Sequence, residues 1–108
     1  QQLSQEEMFL VAQTYEPGSK EFNDVMEIAV RMFPENETAN LNAANTRLNA
    51  GDADGAKAYL AKAGNSPAAQ NARGVYEALK GNDQQARHYF GLAAKAGVKA
   101  AQENLENL

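Results

Sequence analysis

The chain writes one phrase twice. Residues 51–64 read GDADGAKAYLAKAG, and residues 81–97, thirty positions on, read GNDQQARHYFGLAAKAG. Gly51 answers Gly81, Ala56 answers Ala86, and Tyr59-Leu60 answers Tyr89-Phe90. A period of this size holding two helical patterns constrains the fold more than composition does. One helical hairpin cannot bury both of its apolar faces alone, so successive copies must stack.

Punctuation along the chain predicts seven helices. Ser4 with Glu7 forms a capping-box pattern at the head of the first, and Pro17-Gly18 ends it. Ser19 caps a second helix running to about Phe33, whose Phe22, Val25, Met26, Ala29 and Met32 recur at the spacing of one buried face. Asn36 heads a third helix to about Ala50, with Leu41, Ala44 and Leu48 inward. Asp52 heads the fourth, which buries Ala56, Tyr59, Leu60 and Ala63 and stops at Gly64. Ser66-Pro67 opens the fifth, with Ala72, Val75, Tyr76 and Leu79 facing the core. Asn82 with Gln85 repeats the capping-box pattern before Ala86, Tyr89, Phe90 and Ala93. The last helix follows Gly97, turning Ala101, Leu105 and Leu108 inward and Gln102, Glu103, Asn104 and Glu106 to water. No segment shows the two-residue alternation of a half-buried strand.

The pattern of Gly74, Gly81, Ala86, Phe90 and Ala93, closed by Ala96-Gly97, resembles the tetratricopeptide family. The junction AAKAGVKAAQENL at 93–105 is similar to its Sel1-like cousins. The resemblance implies an all-α, antiparallel helix-hairpin solenoid with units at about 3–36, 37–66 and 67–98 and a capping helix over 99–108, together a single domain spanning 1–108. The second unit keeps Ala44, Gly51, Ala56, Leu60 and Ala63. The first keeps Ala29 and Pro34 but sets Phe22 where a small residue is expected, so its helices should pair at a different angle. Whatever the family, the small residues at 74, 86 and 93 let helix axes approach to the short end of the ~8–10 Å range.

Several function classes fall away on composition. The 108 residues carry a net charge of -4, with ten scattered Lys and Arg, which argues against binding nucleic acid or anionic lipid. No run approaches the ~20 apolar residues of a membrane span, so direct membrane insertion is not expected. Cysteine is absent, which removes disulfides and thiolate chemistry. The one histidine, His88, lacks an orienting carboxylate and a nucleophile in its helical neighbourhood and reads as a surface residue. The DADG at 52–55 lacks the later ligands of a calcium loop and reads as a helix start. The sequon at Asn36 is explained by capping. No catalytic, cofactor-binding or metal-binding residues are therefore assigned, and an enzyme is not expected.

Asparagine supplies the one functional cue. Asn40, Asn42, Asn45 and Asn49 crowd the third helix and Asn71 lies on the fifth, although Asn is a poor helix former. In the tetratricopeptide family the first helix of each pair lines a concave groove where Asn bonds a peptide backbone. The resemblance thus makes Asn45, Asn49, Asn71 and Val75 groove candidates. Leu41 and Asn71 stand where lysines would clamp a C-terminal carboxylate, so that ligand class is not expected. The expected function is a non-enzymatic module that docks a protein or peptide segment. The alternative is a structural spacer at the end of a larger bacterial cell-envelope protein, suggested by the Gln1-Gln2 start, which reads as a processed or excised chain. Envelope placement is expected over cytoplasm on fold analogy.

Overall fold

Helix starts in the structure, a computed structural model that describes residues 4–108, follow the capping residues. The Gln1-Gln2 start and Leu3, where the first unit was expected to begin, lie outside the described residues. In α1 (Gln5–Ala12), Ser4 Oγ accepts from the Glu7 N–H at 3.2 Å and Glu7 Oε1 accepts from the Ser4 N–H at 2.8 Å, a complete capping box. The side chains of Ser19, Asn36, Asp52 and Ser66 each accept from the N–H three residues on. They open α2 (Lys20–Met32), α3 (Glu37–Asn49), α4 (Ala53–Ala61) and α5 (Pro67–Leu79). Before α6 (Asp83–Lys95) the expected capping box is not made. Asn82 Nδ2 donates instead to Glu77 Oε1 at 2.9 Å. Asp52, its counterpart thirty residues earlier, has no such donor and must accept. The last helix, α7 (Lys99–Glu106), has no side-chain cap.

Three helices, α3, α5 and α6, end alike. Gly51, Gly81 and Gly97 hold φ of +77°, +83° and +97°, a region costly to any residue with a β-carbon. In each case the next N–H turns back to a carbonyl five residues earlier: Asp52 to Arg47 at 2.8 Å, Asn82 to Glu77 at 2.8 Å, Val98 to Ala93 at 3.0 Å. This bond satisfies a helix-end carbonyl and reverses the chain.

Small residues sit where helices meet. Ala39 and Ala69, and Ala56 and Ala86, are fully buried at matching positions thirty apart. Gly74 answers Ala44, and a β-carbon there would overlap the Phe90 ring. Phe90 and its counterpart Leu60 are both buried. Three apolar clusters join into one core: Met8, Met26 and Ala39 meet Tyr59; Leu48, Leu60 and Ala72 meet Tyr59 and Val75; Phe90, Ala93 and Ala101 meet Val75.

The described residues are all-α, with seven helices and no strand. Each helix packs on its sequence neighbour, and α3 also packs on α5, the lateral contact of a helical solenoid. The stack measures 47 × 26 × 22 Å. Three expected inward positions are corrected. Leu79 and Leu108 are 46% and 38% exposed, and Tyr89 is only half-buried. Leu79 is the last residue of α5 and Leu108 lies beyond α7, so neither has a facing helix to cover it.

Candidate interaction face

Helices α3, α5 and α7 alternate with the others in the stack, and their side chains at every fourth position form parallel stripes. On α3 the stripe is Leu41, Asn45 and Asn49; thirty residues on, α5 repeats it as Asn71, Val75 and Leu79. Asn45 and Asn49 are exposed. Asn71 is half-buried, and its Oδ1 accepts from Asn104 Nδ2 of α7 at 3.2 Å. Asn104, expected in water, therefore ties the α7 stripe to that of α5, and exposed Leu108 lies just past the end of α7. Val75 is half-buried and packs into two core clusters, so only part of it faces out.

The other asparagines have internal duties. Asn40 is 2% exposed and donates to Pro34 O at 2.9 Å and Asn36 O at 2.8 Å, closing the α2–α3 turn. Asn36, besides capping α3, donates to Gln5 Oε1 at 2.6 Å. Asn42 Nδ2 lies 3.4 Å from Asn23 Oδ1. Of the four asparagines in α3, only Asn45 and Asn49 are free to meet a partner.

A second feature drew no expectation from the sequence. Lys57, Leu60 and Ala61 of α4, Arg73, Tyr76 and Glu77 of α5, and Tyr89 of α6 line a cleft. Arg73 Nη2 donates to Leu60 O at 2.8 Å, holding the guanidinium across the α4–α5 junction, while its Nη1 is buried with no acceptor. Glu77 lines the same cleft and accepts from Asn82 Nδ2, so two cations and one carboxylate surround the apolar side chains. Deeper in the stack, Arg47 bonds Glu27 of α2 and lies 4.7 Å from the centre of the Tyr59 ring of α4. Three elements are thereby tied through one side chain. Partners twelve and twenty residues away leave no periodic trace in the sequence.

His88 is exposed on α6, edge-on to Tyr89. Among the described residues, no group of three or more acidic or histidine side chains is placed to hold a metal ion. No helix among them is long and apolar enough to cross a membrane. Compared with family models, with curated proteins and with solved structures, the chain finds no match.

Proposed function

We propose that this chain is a tetratricopeptide or Sel1-like repeat module that binds a protein or peptide segment along the face built by α3, α5 and α7, without catalysing a reaction. The observation that carries this reading is the repeated stripe. Amide side chains at Asn45 and Asn49 are exposed on α3, and Leu79, thirty residues after Asn49, is exposed on the neighbouring α5, with Leu108 past the end of α7. Amides can satisfy a peptide backbone, while exposed leucines offer apolar area to its side chains. A single exposed leucine is ordinary; leucines recurring in register with uncommitted amides suit a docking surface.

Peptide selection from a displayed library tests the proposal. The chain should enrich a motif, and Asn45→Ala with Asn49→Ala and Leu79→Ser should release it at unchanged melting temperature. Peptides retained equally by that triple variant would remove the face from consideration. A spacer role is favoured by one fact, that Asn71 already spends its carbonyl on Asn104. In that case selection enriches nothing.

A further inference from the structure

We propose that, apart from the face just described, the cleft between α4, α5 and α6 receives the outer face of α1 from a second copy of this chain. The association is head to tail.

Charge along the stack is unevenly divided. Residues 1–54 hold ten acidic and three basic side chains; residues 55–108 hold seven basic and four acidic. Four cations are matched by ion pairs: Lys20, Arg47, Lys62 and Lys80. Among the described residues, Arg31, Lys57, Arg73, Arg87, Lys95 and Lys99 have no such partner, and two of these, Lys57 and Arg73, line the cleft. Leu60, Tyr76 and Tyr89 line the cleft with those two, and the one carboxylate there, Glu77, accepts from Asn82. This is a site for an apolar side chain flanked by carboxylates.

The first helix presents that chemistry. Met8 and Ala12 face the core, which turns Glu6 and Leu10 to the opposite side, with Glu7 and Val11 beside them. Leu10 is 63% exposed, the highest of any large apolar side chain described, and Val11 is 39% exposed. Among the described residues nothing covers this face. Nor can α1 reach the cleft of its own chain: it packs on α2, at the far end of a 47 Å stack from α6. A second copy can supply it, with Leu10 over the Tyr76 and Tyr89 rings and Glu6 toward Lys57. Because the two surfaces differ, the contact is heterologous and leaves a free helix at one end and a free cleft at the other.

Sedimentation velocity over a concentration series of the 108-residue chain tests this. The wild type should form dimers and longer chains at low salt and lose them as salt screens the carboxylate–cation pairs. Leu10→Ser breaks only the helix face and Lys57→Glu only the cleft rim; each should weaken association by about tenfold or more. Mixed in equal amounts, the two variants should form a dimer that grows no further, since one keeps its cleft and the other its helix. Circular dichroism of each variant confirms that helix content is unchanged. A wild type that stays monomeric at low salt, variants that associate as well as it does, or a mixture with no dimer would each overturn the proposal. None of these outcomes bears on the stripe of Asn45, Asn49 and Leu79.

Discussion

Substituting Gly74 by alanine, with Gly91 as the matched control, isolates the close approach on which the stack depends. Both glycines lie inside helices, α5 and α6, and neither has positive φ. In a helix interior Gly→Ala gains about 1 kcal/mol from propensity alone. At Gly91 a β-carbon meets nothing within 4 Å, so Gly91→Ala should be stabilising by about 0.5–1 kcal/mol. At Gly74 the same carbon would overlap the ring of Phe90, itself only 2% exposed and unable to swing aside. Overpacking of this kind costs ~1–3 kcal/mol. The propensity gain is common to both variants and cancels, so Gly74→Ala should be the less stable of the two by about 1–3 kcal/mol. For a chain of this size each kcal/mol moves the midpoint by roughly 4–8 °C, well within reach of thermal denaturation followed by circular dichroism. Adding Phe90→Leu to Gly74→Ala should recover part of the loss, giving a coupling that Phe90→Leu with Gly91→Ala lacks. Equal midpoints for the two alanine variants would mean that α5 and α6 do not meet at Gly74, and the argument from small residues would fail with it.

Three further perturbations follow from the geometry. Phe90→Ala should cost ~3–5 kcal/mol by emptying the wedge beneath α5, read from urea denaturation; an unchanged urea midpoint would place Phe90 outside the core. Asn40→Ala should cost about 1–3 kcal/mol, because the Pro34 and Asn36 carbonyls lose a buried donor, whereas exposed Asn49→Ala should be silent. The Ser4 backbone N–H holds the Glu7 carboxyl below its ordinary pKa of 4.5, so the capping box should contribute fully above that value. Its contribution should fade as pH falls through the lowered folded value, seen as lower amide protection factors, exchange referred to the intrinsic rate at each pH, in the first turn of α1; Glu7→Ala should abolish the pH dependence of those protection factors.

Much of the architecture was legible because its causes are local. A capping side chain acts three residues away, a left-handed glycine five, and both stand in the sequence beside what they control. The matched alanines at 56 and 86 marked helix contacts in the sequence, and both are fully buried. Misreadings arose where local patterns compete or end. Asn82 can both accept and donate, and Glu77 decided which. Leu79 and Leu108 keep the apolar spacing past the point where a neighbouring helix remains to cover them. Of the expected groove, Asn45 and Asn49 are exposed, but Asn71 was committed to Asn104 by a bond spanning 33 residues. The cleft was invisible for the same reason. Lys57, Arg73 and Tyr89 belong to three helices, and only stacking brings them together.

The thirty-residue spacing from Asn36 to Ser66 also governs what length this molecule could take. Ser66 begins its hairpin with the bond Asn36 makes and against the same kind of alanine floor, Ala69 for Ala39. A duplicate of residues 36–65 spliced ahead of Ser66 would find familiar neighbours above and below. The rod would then grow by one tier while its two end surfaces stayed as they are, much as a ladder gains a rung without changing its feet.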